Sequence, residues 1–569
     1  MDNSLDIQQY KSNPLALFNY LYKIKINDYE EESGELKKMI IELHNNHNID
    51  ICEYAIKAIE SKFNCLNAND VLINSIAYLN LNLTSYCNYL GVIFQYFGSN
   101  SFQYKLTSNL LKEQPNITKK LLNKLTQQDE AFIVEHISII LTKLYGNSYV
   151  KIINLINKYN IFTTQGAILA LGNLKHENNS TDANKILDTF EKSSENIEDL
   201  GEVTTISLLK IQHLGKGFKL QILKLIKTNN LQIHFQVSQH LSLRCETLSN
   251  EKWFEKSLMS FNKTNCEYRN IINNLDFWLS NLIKFNKPLF KKFFISWIIH
   301  SDYSQSKSEL QDLFKSTFRT ISEDKKLLQE LITDYFNHDN RLINQAGAKL
   351  TLFFERNKVN NIEFDRDILK TLNIDDITYM CRKMLGYLID VKTLCSLSYS
   401  ILTVRIRNKR MSNIVINIFI DYIGCNYLST TLDFLNDKIS TKGISKSLRI
   451  ALQLIIDELN NKKKILELLP RLNELKPSKQ KIHQEELANR KQMNKLITES
   501  QKGSLVSCFS KIYLKYGTGS CNYRSGNYSE LSYMNHFSHS IEIPRAQIVH
   551  PVSLALENFR FRLVKRGEN

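Results

Sequence analysis

The chain has little that breaks or punctuates a backbone: 7 prolines and 18 glycines in 569 residues. A β-sandwich or barrel of this length needs many more turn residues, so an all-β fold is not expected. No two of its ten cysteines form a C-x-x-C pair, and most lie within apolar helical pattern. Free cysteine is by default a small buried hydrophobe, so the reading is a reduced, cytoplasmic protein. The sequence from Met1 lacks the basic flank and apolar core of a leader peptide. No apolar run approaches the length that spans a bilayer, and Phe293 to Ile299 is among the longest. Residues 71–104 carry no charge, but Asn, Ser, Thr and Gln are spread through them, so they read as buried helices and no membrane partner is expected. Also missing are the glycine-rich phosphate loops, the zinc-protease pair and the serine-nucleophile elbow. Gly517-Thr518-Gly519-Ser520 lacks the lysine of a phosphate loop and reads as a turn.

What is present is helical period. The chain is 43% hydrophobic and 23% charged, which is globular composition. Tyr149, Ile152, Ile153 and Ile156 fall at i, i+3, i+4, i+7. Phe218, Ile222, Leu225 and Ile226 repeat the spacing against Lys219, Gln221, Lys224 and Lys227. Ile117, Leu121, Leu122 and Leu125 form a third such face. Asp129 and Gly146 are placed to cap and close a helix through Ile133, Ile137 and Ile140. Pro14, Pro115 and Pro288 sit near helix starts, where a missing N–H costs little. Phe290, Phe293, Phe294 and Trp297 are at helical spacing and read as core.

Two stretches carry a further cue. In Thr164-Gln165-Gly166-Ala167-Ile168-Leu169-Ala170-Leu171-Gly172-Asn173-Leu174, small residues at 166, 167 and 170 permit close helix packing. Asn344-Gln345-Ala346-Gly347-Ala348-Lys349-Leu350 has the same texture. In rhythm, residues 50–470 resemble the HEAT/armadillo class of α-solenoids. That resemblance implies stacked helix pairs and a binding habit, and no reaction. The expected fold class is mostly α: an irregular HEAT-like solenoid with a small mixed α/β or loop-rich C-terminal element. The expected divisions are a helical region at 1–470, in one part or two, a basic linker and charged helix at 471–502, and a Gly/Tyr/Ser-rich element at 503–569. Within the last, Phe559-Arg560-Phe561-Arg562-Leu563 alternates apolar and basic residues, which is strand period, and 541–549 reads as extended.

The formal charge is +15, and it is uneven. Residues 401–569 hold 27 Lys and Arg against 14 Asp and Glu, so +13 of the excess lies there. Such a footprint suits a polyanion. Arg405, Arg407, Lys409 and Arg410 form one cluster; Lys476, Lys479, Lys481, Arg490 and Lys491 a second; Arg545, Arg560, Arg562, Lys565 and Arg566 a third. The expected nucleic-acid contacts are Arg405, Arg407, Arg410, Arg545, Arg560 and Arg562. Tyr513, Tyr516, Tyr523, Tyr528 and Tyr533 are candidates for stacking on bases. Solvated lysine-rich helix faces and a tyrosine core explain the same residues without a ligand.

His536, His539 and His550 are the catalytic candidates. A His-x-x-His pair suits zinc only with a third ligand, and Cys521, Glu530, Glu542 and His550 are the options. No second cysteine completes a structural site, so no metal and no cofactor are expected. The leading expectation is therefore a non-enzymatic helical scaffold, within a larger complex, that binds nucleic acid or an acidic protein surface. One alternative is a nuclease or phosphodiesterase centred on His536 and His539. The other is a purely protein-binding subunit, by fold-level association of an anti-phage or mobile-element system.

Overall fold

The computed structural model describes the chain except residues 1–11, 29–33, 47–48, 99–100, 147, 157, 175–179, 307, 358–361, 470–477, 568–569 and, apart from four two-residue strands, 502–541. It divides into two compact units, 1–327 and 328–569. Among the described residues the fold is mostly α. The strands pair as two short antiparallel ladders, Gly519–Ser520 with Ser532–Tyr533 and Tyr523–Arg524 with Asn527–Tyr528.

Unit 1 repeats one packing step. Following α1 (Leu83–Phe97) and α2 (Ser101–Glu113), one layer holds α3 (Ile133–Tyr145), α5 (Ile161–Asn173), α7 (Ile197–Ile211), α9 (Leu231–Leu243), α11 (Arg269–Phe285) and α13 (Lys315–Glu323). Each packs on the next in that series. The other layer holds α4 (Tyr149–Ile153), α6 (Ser180–Ser193), α8 (Lys216–Ile226), α10 (Lys252–Met259) and α12 (Lys287–His300), again each on the next. Side-chain hydrogen bonds cross at the same interval. Asn173 Nδ2 donates to Ser138 Oγ at 3.1 Å, Ser207 Oγ to the Ile168 carbonyl at 2.9 Å, and Asn274 Nδ2 to Ser238 Oγ at 3.0 Å, spanning 35, 39 and 36 residues.

The small residues do what their spacing predicts. A Cβ on Gly166 would lie 2.7 Å from the Val134 carbonyl oxygen, and one on Gly172 would lie 2.6 Å from Ser207 Cα. Glycine is what lets α5 approach α3 and α7. Phe290, Phe293, Phe294 and Trp297 are fully buried in α12, as expected. Pro14 and Pro288 fall in the first turns of their helices. Seven of the cysteines are buried free thiols, and Cys425 is exposed. Burial pushes the Cys245, Cys266, Cys381 and Cys395 thiols up to about 12, so they stay protonated. No described helix is long and apolar enough to cross a membrane.

Two local expectations fail. Asp129 caps nothing: α3 begins at Ile133 with Phe132 at the cap position and no side-chain bond. Elsewhere asparagine does much of the capping. Asn82, Asn160, Asn196, Asn230, Asn286, Asn340, Asn373 and Asn408 each accept a backbone N–H at a helix start. Asn286 also donates back to the Ser249 carbonyl at 3.0 Å, joining its helix to the preceding turn. The second failure is the C-terminal strand. Residues 551–563 are helical, and so are 545–549.

Unit 2 contains α14 (Arg341–Arg356), α15 (Arg366–Thr371), α16 (Ile374–Tyr387), α17 (Val391–Arg405), α18 (Lys409–Asn417), a π-helical segment at Ile418–Ile423, α19 (Leu428–Ser440), α20 (Lys446–Leu468), α21 (Lys479–Gln501), α22 (Arg545–Val549) and α23 (Pro551–Leu563). The charged helix read from the sequence at 485–502 is α21, and its described side chains are exposed throughout. The last two helices form an arm that packs on α16 through α23.

Candidate interaction surface

The arm is seated by a glycine, a lysine, two arginines and a glutamate. At Gly386, a Cβ would lie 3.0 Å from both the Arg562 nitrogen and Phe561 Cβ. Only a bare α16 backbone lets α23 approach this closely. Lys383 is buried on the same helix, and its Nζ donates to the Arg562 carbonyl at 2.7 Å. That carbonyl belongs to the last turn of α23, where a cation is favoured by the helix dipole. Arg562 returns the contact by donating Nε to the Gly386 carbonyl at 2.5 Å, with its guanidinium 5.3 Å from the Tyr387 ring centre. Arg566 extends the clasp. Its Nε donates to Asp339 Oδ1 at 3.0 Å, it pairs with Asp376, and it lies 5.0 Å over the Tyr379 ring. Burial, and then Asp339, push the Tyr379 hydroxyl up to about 12; it stays protonated and donates to the His338 carbonyl at 3.0 Å.

The start of the arm is fixed separately. Glu542 accepts the Ser429 and Thr430 backbone N–H groups at 3.0 and 2.8 Å, and the Thr430 hydroxyl at 2.6 Å. It thereby supplies the N-terminal cap that α19 does not take from its own Tyr427. The Ala546 N–H donates to Asn426 Oδ1 at 3.0 Å. The π-helical segment brings Tyr422 to the arm, where its ring meets Phe561 edge-on with centres 5.5 Å apart. A widened helical turn of this kind often marks a functional position.

Beneath and beside the arm the packing is incomplete. A half-open cavity of about 360 Å³ lies between α23 and the turn after α16, bordered by Leu388, Ile389, Tyr422, Leu554 and Phe561. A second, of about 320 Å³, is bordered by Asn426, Lys462, Ile543, Arg545 and Ile548. Asn426 lines both, and Leu388 and Ile389 also line a third of about 290 Å³ that reaches Arg562. The result is a continuous grooved, largely apolar surface made jointly by the arm and the helices under it. On the outer face of α23, Val552, Leu556, Phe559 and Leu563 are 71%, 53%, 52% and 42% exposed.

The six cationic candidates do not come together. Arg405 is half-buried and donates Nη2 to the Leu369 and Leu372 carbonyls at the end of α15. Arg562 is engaged on Gly386 and Tyr387. Arg407, Arg410, Arg545 and Arg560 are exposed, as is Lys409. Arg405 closes α17, whereas Arg562 contacts residues just before that helix begins; fifteen residues of helix separate the ends by about 22 Å. The first and third clusters therefore occupy opposite ends of α17. Lys479, Lys481, Arg490 and Lys491 lie exposed on α21, and Lys476 is outside the described residues.

His536 and His539 lie outside the described residues, as do Cys521, Glu530, Tyr513 and Tyr516. Tyr523, Tyr528 and Tyr533 are described only as backbone of the short ladders. His550 is exposed at the junction of α22 and α23. Glu542, one of the suggested metal ligands, is used as a helix cap. No group of three or more His, Cys, Asp or Glu side chains converges among the described residues. Sequence reasoning did not find Gly386 or Lys383, and singled out Glu542 only as a metal-ligand candidate. Lys383 carried no local signal, since it stands beside Arg382 in the sequence.

No protein-family model matches this chain, and no curated protein is similar to it in sequence.

Proposed function

We propose that this chain is a helical scaffold, an irregular HEAT-like array, that engages a protein partner through the C-terminal arm of unit 2. The observation that carries the reading is that α23 is apolar on two opposite faces but is covered on one. Leu554 and Phe561 turn toward the body, while Val552, Leu556, Phe559 and Leu563 face outward. An apolar helix face costs free energy in water unless something covers it. The stepwise helix packing and the side-chain bonds recurring at 35 to 39 residues support the array reading. The buried free thiols support a reducing, cytoplasmic setting.

The test is a photo-crosslinker introduced at Leu556 on the arm, or at Leu243 of unit 1, which is 71% exposed. Discrete adducts to another protein are expected from position 556 and not from 243. Adducts from 243 alone, or from neither, would remove the arm as the binding element.

A second reading, polyanion binding, is favoured by Arg407, Lys409 and Arg410. These are three exposed cations within four residues that form no ion pair with any described carboxylate. Titration with labelled RNA and DNA at two salt concentrations tests it. Replacing Arg407 and Arg410 by Gln should lower the slope of log affinity against log salt by about one to two. An unchanged slope would refer the charge to solubility.

A further inference from the structure

The outer stripe of α23 has a definite chemistry. Val552, Leu556, Phe559 and Leu563 fall at i, i+4, i+7 and i+11, the spacing by which one helix meets another along a seam. At about 100° per residue the four lie within about 60° of each other. Arg560 borders the seam about 70° to one side and Arg562 about 90° to the other. Glu557, the single acidic residue of α23, points toward the body, about 130° away. Beyond the helix, Lys565 is exposed, and before it Arg545 is exposed. The guanidinium of Arg562 is held on Gly386 and Tyr387, so the seam is apolar with one exposed cation, Arg560, at its border and no acid there.

We propose that this seam docks an amphipathic helix of a partner protein whose apolar stripe is bordered by Glu or Asp. The inference rests on the scaffold reading and adds the chemical class of the partner. Charge complementarity decides among the possible occupants. A second copy laid antiparallel on the seam would oppose two basic surfaces. Helix α21 of the same chain is another exposed helix, but with five Lys and Arg against three Glu it is net basic. An acid-bordered helix satisfies both the apolar stripe and Arg560.

The experiment uses the full chain and a synthetic 18-residue helical peptide with Leu at i, i+4, i+7 and i+11. One version carries Glu at the bordering positions and the other carries Lys. The Glu-bordered peptide is expected to bind at least about tenfold more tightly than the Lys-bordered one. Leu556→Ser with Phe559→Ser should weaken that binding at least about tenfold, and Arg560→Glu should reverse the preference. All three substitutions fall at exposed positions, so loss of folding is not the expected cause. Equal binding of the two peptides, or no binding of either, overturns the proposal. So does binding to phosphatidylserine vesicles that depends on Leu556 and Phe559 and exceeds peptide binding. Concentration-dependent dimerisation abolished by the Leu556→Ser, Phe559→Ser pair assigns the seam to a second copy. Failure of Leu556→Cys to react with a water-soluble maleimide in the free protein assigns it to a segment of this chain. In each of these cases crosslinks from position 556 to another protein would still support the scaffold reading, so the two failures are distinguishable.

Discussion

Replacing Gly386 by Leu should release the arm while leaving the helices beneath it folded. Gly386 lies near the end of α16 with an ordinary helical backbone, so leucine introduces no strain there and favours helix more than glycine does. The cost falls on the contact instead. The Arg562 nitrogen, Phe561 Cβ and the Asn558 carbonyl oxygen already sit 3.0 to 3.1 Å from where a single Cβ would go. Two of these are backbone atoms, so α23 must move as a body, and overpacking of this kind costs about 1–3 kcal/mol. Movement also lengthens the hydrogen bonds that Lys383 donates to the Arg562 carbonyl and Arg562 to the Gly386 carbonyl. At about 1.4 kcal/mol per factor of ten, amide exchange across 554–562 should quicken by about 5- to 150-fold. Hydrogen exchange followed by mass spectrometry reads this directly, with peptides from the buried faces of α17 and α20 in the same unit as internal controls. Unchanged protection in 554–562 would refute the docked arrangement. Faster exchange everywhere would mean that the glycine supports the whole unit rather than the arm.

Other consequences are local to unit 1. Gly172→Ala should lower its thermal midpoint, costing about 1–3 kcal/mol, because the new methyl meets Ser207 Cα at 2.6 Å; an unchanged midpoint would contradict the close approach of α5 and α7. Asp276→Ala should cost about 1–2 kcal/mol, since this buried carboxylate accepts the Ser316 and Thr317 N–H groups at 2.9 and 2.8 Å and caps α13 from α11; urea unfolding measures it, and a loss under about 0.3 kcal/mol would argue against the cap. His136 gives a pH dependence. It is fully buried, its Nδ1 is 2.8 Å from the Thr107 hydroxyl, itself 2.9 Å from Tyr86, and burial lowers its pKa to about 3. Above about pH 6.5 the imidazole is neutral in both states, and its contribution is complete. Below that, the unfolded chain binds the proton and the folded one does not, so stability falls with pH down to about 3. At pH 5 the loss is about 2 kcal/mol, and His136→Gln should flatten the fall in urea midpoint between pH 7 and 5; an equal slope in the variant would rule out this histidine as the cause.

The helical class was legible because it is written locally and redundantly. Faces such as Phe218, Ile222, Leu225 and Ile226 need only period, and small-residue runs such as Gly166 to Gly172 need only volume. The caps were legible in principle. Asparagine at positions such as Asn160, Asn230 and Asn373 stands just before a helical pattern and accepts the backbone N–H two or three residues on. The surface was less legible because its partners are far apart in the chain. Lys383 meets Arg562 across 179 residues, and Arg566 meets Asp339 across 227, so no window of sequence shows that these arginines already have acceptors. Charge counting treats every arginine as available, whereas Arg405 and Arg562 hold backbone carbonyls of their own fold.

The misreading of residues 559–563 as a strand has a physical origin that bears on function. A strand places residues i and i+2 on one face, so alternating Phe559, Phe561 and Leu563 look like one apolar side. On a helix the same residues fall on two sides: Phe561 turns to the body against Tyr422, while Phe559 and Leu563 turn outward. A helix with a single buried face does not produce this alternation, because its opposite face is polar. It arises only when both faces are apolar. Local period-2 pattern inside a thirteen-residue helix is thus a sign that the helix is built for two neighbours. Leu554, Glu557, Asn558, Phe561 and Arg562 account for the first, which is unit 2 itself. The second neighbour must bring apolar side chains at helical spacing and negative charge at its edges, since the outward face offers Val552, Leu556, Phe559 and Leu563 beside Arg560. Phe559 and Leu563 thus belong both to the alternation that misled the sequence reading and to the exposed stripe that calls for a partner.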